Sequence, residues 1–127
     1  MTAPSWIDTA VRDFGRGAGL EDFALNDRGV AAVRFENGLA LRFEYALGEL
    51  VVAMTVPLPN TAESARRILA CSHPDARYGA KVRAGYLAKA GCAVFAVRQA
   101  PGDVTLPVLN TVFGALWRIA TEAGGAA

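Results

Sequence analysis

Apolar positions change their spacing several times along the chain, and each change marks an element. Ile7, Ala10, Val11 and Phe14 recur at helical spacing, and Ser5 with Asp8 three residues on approximates a capping box. Gly15, Gly17 and Gly19 then predict the stop. A helix of about three turns is not stable alone, so this one must lie against a sheet or a partner.

From Gly29 the period falls to two. Ala31, Val33 and Phe35 share a face, Glu36-Asn37-Gly38 predicts a hairpin turn, and Leu39, Leu41, Phe43 and Tyr45 continue opposite Arg42 and Glu44. After a turn around Gly48, Leu50, Val52, Met54 and Val56 form one face of a third strand. The other face carries Val51, Ala53 and Thr55, so this strand is apolar on both sides and calls for cover. The three strands read as an antiparallel meander.

Pro57 and Pro59 end the third strand, Asn60 or Thr61 can cap a second helix, and Ala62, Ala65, Ile68 and Leu69 trace its apolar face with Arg66 and Arg67 on its wet side. It is expected to stop near His73-Pro74. Val82 to Ala88 and Cys92 to Gln99 predict a second hairpin through Lys89-Ala90-Gly91. Thr105 or Asp103 can cap the last helix, Pro107 fits its first turn, and Leu109, Val112, Phe113, Leu116, Ile119 and Ala120 make its stripe over roughly 106–123. The order is helix, three strands, helix, two strands, helix, an α+β arrangement expected to fill residues 1–127 as one domain.

Composition narrows the function classes. Hydrophobic residues make up 53% of the 127 and charged ones 20%, too apolar for a disordered chain. Thirteen basic residues nearly cancel twelve acidic ones, and the eleven arginines are scattered between acids, so no basic face points to nucleic acid. The longest apolar run, Leu50 to Leu58, is broken by Thr55 and Pro57 and falls short of the ~20 residues of a bilayer span. The N-terminus lacks the charged-then-apolar pattern of a signal peptide, so the chain is expected in the cytoplasm. Cys71 and Cys92 are twenty residues apart with no CxxC partner, which predicts reduced, buried fillers.

No catalytic constellation emerges. His73 is the one histidine, beside a proline, with no second base to complete a triad. The glycine-rich run from Gly15 to Gly19 follows a helix and ends without Lys-Ser, so it is no phosphate loop. Glu36, Glu44 and Glu49 fall on strands or turns as solvated charges. Trp6 and Trp117 read as core aromatics of amphipathic helices, with Trp117 at its stripe's edge. The chain is therefore expected to use no cofactor or metal and not to be an enzyme.

Several segments nevertheless form a recognisable combination: Ser5-Trp6-Ile7-Asp8 with Phe14; Arg83-Ala84-Gly85-Tyr86-Leu87; Ala93-Val94-Phe95; and Val104-Thr105-Leu106-Pro107-Val108-Leu109 leading into Phe113, Leu116 and Arg118. Over about half the chain this resembles the SycN-type chaperones of bacterial type III secretion. The resemblance implies the element order read above, dimerisation with a second small chaperone or with itself, and a secreted gatekeeper or effector held as an extended segment. Carried over residue by residue, it places Ile68, Leu69, Val82, Ala84 and Tyr86 at the dimer interface. It places client contacts on the first helix, through Ile7 and Val11, and on the meander, through Val33, Val51 and Ala53. The alternative is a small ligand-binding or sensory α+β domain with its cavity between the sheet and the last helix.

Overall fold

The structure is a computed structural model and describes residues 3–71 and 82–124. The elements are α1 (Ser5–Gly17), β1 (Val30–Arg34), β2 (Ala40–Ala46), β3 (Glu49–Pro57), α2 (Ala62–Cys71), β4 (Arg83–Leu87), β5 (Cys92–Gln99) and α3 (Leu106–Ala123), with a short 3-10 turn at Pro101–Asp103 before α3. This is the expected order. All five strands join one antiparallel sheet in the order β1-β2-β3-β5-β4.

That order explains why β3 is apolar on both sides, because it is the central strand, paired along its length with β2 and β5. Leu50, Val52, Met54 and Val56 turn to the helices and are buried, while Val51, Ala53 and Thr55 are half-buried on the opposite face. The hairpins follow local chemistry. Gly38 takes φ 90° in the first turn, where the Asn37 side chain accepts from the Leu39 amide. Leu47-Gly48 close the second with φ 53° and 76°, a two-residue turn between Ala46 and Glu49.

The core lies between the sheet and the helical layer. α3 rests on β3 and β5, α1 lies on α3, and α2 touches α3 and the edge strand β4. Phe14, Leu41, Met54, Phe95, Leu109, Leu116 and Ile119 are fully buried between them. Aromatic rings continue outward from there: Phe14 meets Phe113 at 5.4 Å, Phe113 meets Trp117 at 5.8 Å, and Trp117 stands edge-on to Phe35 at 5.2 Å.

Three local expectations are corrected. α1 begins after Pro4, whose carbonyl accepts from the Ile7 and Asp8 amides, and no side chain caps it, so the Ser5–Asp8 box does not form. The helix also runs through Gly15, which is buried because Phe23 packs directly on it. Trp6 is 54% exposed instead of being core. It falls off the Ile7–Phe14 face and donates its indole N–H to the Pro101 carbonyl at 3.2 Å. The cap of α3 is as expected, with Thr105 Oγ1 accepting from the Val108 amide and Pro107 in the first turn.

Candidate interaction surfaces

Thr61 starts α2 by accepting the Ser64 amide at 3.1 Å, which fixes the helix beside β4. One side of α2 and the strand then enclose an apolar cleft of about 300 Å³, lined by Pro59, Ala65, Ile68, Leu69, Gly85 and Tyr86 among others. Leu69 on this lining is 69% exposed, an unusual outlay for a large apolar side chain, whereas Leu87, 48% exposed, alternates from Tyr86 to the other face of the sheet. Tyr86 donates its hydroxyl to the Leu58 carbonyl at 2.9 Å and so keeps its ring against the cleft. Of the five residues assigned to a dimer interface, Ile68, Leu69 and Tyr86 line this cleft. Val82 and Ala84 pack on the core from the same strand segment, on Tyr86's side of the sheet. Sequence reasoning did not place Pro59, Ala65 or Gly85 at this surface, although Ala65 lies on the same apolar stripe of α2 as Ile68 and Leu69.

The other sheet margin is β1. Its pairing with β2 runs through Gly29, Ala31, Val33 and Phe35, so the amides and carbonyls of Val30, Ala32 and Arg34 point away from the sheet. Asn26 occupies the first of these: its backbone N–H donates to the Val30 carbonyl at 2.9 Å and its side-chain oxygen accepts from the Val30 amide at 3.1 Å. Ala32 and Arg34 keep an open edge, and a cleft of about 320 Å³ lies along it, bounded by the loop from Gly19 to Asn26 and by Val30 to Val33. Half-buried Val33, Phe35, Phe113 and Trp117 contribute apolar surface to the helical side of the sheet.

The five residues assigned to client contact do not form one surface. Ile7 and Val11 have no exposed surface at all, because they are the α1 side chains that seal the core, and that assignment is corrected. Val33 is half-buried on the helical side of β1. Val51 and Ala53 lie on the opposite face of the sheet, beside Glu44, Arg42, Arg98 and Ala96 of the neighbouring strands.

Among the described residues no cluster of His, Cys, Asp or Glu could hold a metal, and no helix is long and apolar enough to cross a membrane. Cys92 is a free, half-buried thiol on β5. His73 lies outside the described residues. What the described residues offer is surface: an apolar cleft, a strand edge that they leave open and a sheet face that they leave uncovered.

Comparison with known proteins places these surfaces in context. The family model for the type III secretory system chaperone SycN matches residues 6–124. No curated protein matches the sequence. Among solved structures, the chain is similar to one in the ExsC–ExsE complex, with TM-score 0.80 and 15% identity over 99% of this chain and 96% of that one. It is also similar to one in the HopA1–SchA chaperone–effector complex, with TM-score 0.73 and 19% identity over 95% and 94%. A third is in the ExoU–SpcU heterodimer of the Pseudomonas aeruginosa type III secretion system, with TM-score 0.69 and 16% identity over 94% and 95%. At these identities the structural likenesses establish the fold.

Proposed function

The chain belongs to the SycN family of type III secretion chaperones, which makes it a chaperone and not an enzyme, and from that premise we propose that it pairs with a second small chaperone and holds an extended segment of a secreted gatekeeper or effector in the cytoplasm, ready for export. The observation that carries this reading is the cleft between α2 and β4 with Leu69 exposed on its lining. Burying such a patch against another subunit removes apolar area from water at roughly 25 cal/mol per Å². It also makes the fold's stability depend on the partner.

The partner is assigned as a sister subunit, as the resemblance to the SycN-type chaperones implies, and Arg66 and Arg67 stay on the wet side of α2, away from the cleft, with Arg67 paired to Glu63 at 3.0 Å. The client segment is assigned to the open edge of β1, where Ala32 and Arg34 offer backbone hydrogen bonds and the apolar side chains of Val33 and Phe35 offer contacts to alternate residues of an added strand. The HopA1–SchA chaperone–effector complex, which contains a chain of the same fold, supports an effector as the client.

Light scattering on the protein alone, then co-expressed with each small protein encoded beside it and with secreted candidates, tests the proposal. The expected result is a one-to-one complex of two small subunits that captures one secreted protein. A monomer of 13.4 kDa that ignores all of them would overturn it.

A further inference from the structure

The marginal strand β4 carries a glycine at its centre that no described neighbour requires. Gly85 pairs with Val94 in an unbroken register from Arg83 to Leu87, so it marks no bulge, and its backbone is not left-handed. A Cβ built on it meets only the Val94 Cγ1 among the described residues, at an ordinary 3.6 Å. Glycine inside a strand gives up side-chain packing and chain stiffness. An aromatic ring from a neighbouring strand, laid against such a glycine, restores the lost contact. On β5 the side chains around Gly85 are Val94 directly opposite and Cys92 and Ala96 diagonally, none of them aromatic. β4 is the last strand of the sheet, so no further strand of the described residues supplies a ring.

We propose that Gly85 is the floor of a notch that receives one aromatic side chain of the sister subunit. The inference rests on the chaperone reading above and adds the chemistry of one contact in the subunit interface. Arg83, Gly85 and Leu87 alternate to the same side of β4, so the glycine opens a gap between two long side chains whose Cα atoms are about 13 Å apart. One wall is apolar, since Leu87 is exposed, and the other is cationic, since Arg83 is exposed with no ion-pair partner among the described residues. A ring standing in the gap turns one face to Leu87 and the other to the Arg83 guanidinium, with its edge on the Gly85 backbone. The occupant is assigned to the sister subunit because Gly85 also lines the cleft between α2 and β4, which makes notch and cleft one continuous surface around the margin. The backbone favours the same approach. The Leu58 amide donates to the Gly91 carbonyl, so the odd-numbered residues of β5 bond to β3 and the even-numbered ones to β4, and Ala84 and Tyr86 turn their amides and carbonyls away from the sheet. A second copy of this chain offers a poorer ring: Trp6, the exposed aromatic of the described residues, is held on α1 by the Pro101 carbonyl.

Gly85→Val tests the inference because its two readouts move in opposite directions. In the full chain on its own, valine puts a strand former where glycine stood, so the midpoint of urea unfolding should rise. In the pair, the valine methyls occupy the notch, so the dissociation constant for the co-purifying small subunit, measured by calorimetric titration, should rise on the order of tenfold. A second measurement does not depend on that variant. A photo-crosslinking phenylalanine analogue replaces Leu87, the chain is co-expressed with the small subunit, and the crosslinked peptide is identified by mass spectrometry. A peptide of the small subunit containing Phe, Tyr or Trp is expected, and changing that aromatic to Ala should weaken pairing with the natural chain while adding nothing to the effect of Gly85→Val. The inference is overturned by unchanged pairing of Gly85→Val, by crosslinks to a second copy or to a secreted protein, or by a lowered urea midpoint, which would put this chain's own residues against Gly85. If the natural chain pairs with no small protein, the reading of a chaperone pair fails and the notch fails with it; if the natural chain and Gly85→Val pair equally well, the notch alone fails.

Discussion

Gly15→Ala sets two effects of opposite sign against each other. Gly15 sits inside α1, where alanine is the better helix former by about 1 kcal/mol. A methyl group there, however, would lie 2.7 Å from the Phe23 Cβ and 3.2 Å from the Phe23 carbonyl oxygen. Neither is the free end of a flexible side chain, so the loop beyond α1 must move. Phe23 is itself buried between Phe14 and Phe43, with ring centroids at 6.0 and 5.3 Å. Overpacking of that kind costs typically 1–3 kcal/mol, so the clash outweighs the helical gain by up to about 2 kcal/mol. Gly17→Ala provides the control: the same helix, nothing within 4 Å, and therefore a gain of up to about 1 kcal/mol. Urea unfolding followed by circular dichroism measures both. Gly15→Ala should lower the midpoint and Gly17→Ala should raise it. Equal stabilisation by the two would refute the packing of Phe23 on α1.

Ile68→Asp should abolish pairing with the partner subunit, read by light scattering, while a complex of unchanged mass would remove α2 from the interface. Asn26→Ala deletes the acceptor for the Arg28 and Val30 amides. It should cost about 1–2 kcal/mol and speed hydrogen exchange at Val30, and unaltered protection there would contradict the clamp. Tyr86→Phe removes one bond to Leu58 and should cost about 0.5–1.5 kcal/mol in thermal unfolding without changing subunit mass.

Local periodicity reveals elements, and here it located the three helices and five strands of the described residues, with α3 over the expected 106–123. It could not reveal neighbours. That β5 pairs with β3, leaving β4 at the margin, depends on contacts between residues about forty apart. The helical face that includes Ile7 and Val11 was legible, but an apolar stripe does not say whether its cover is the protein's own sheet or another chain. The same ambiguity put Val33 and Val51 together, although their strands present them on opposite sides of the sheet. Ile68, Leu69 and Tyr86 came together because helix and strand each pointed one apolar face to the same side.

The clamp at Asn26 also bears on how the protein avoids becoming a fibre. A sheet with two bare edges is a template for copies of itself, and growth continues as long as each added strand offers the full row of hydrogen bonds to the next. Asn26 takes up the Val30 groups in advance, leaving only Ala32 and Arg34, the latter a charged residue, available along β1. Two residues of pairing are enough to seat a short foreign strand in one frame, yet too few to sustain a polymer.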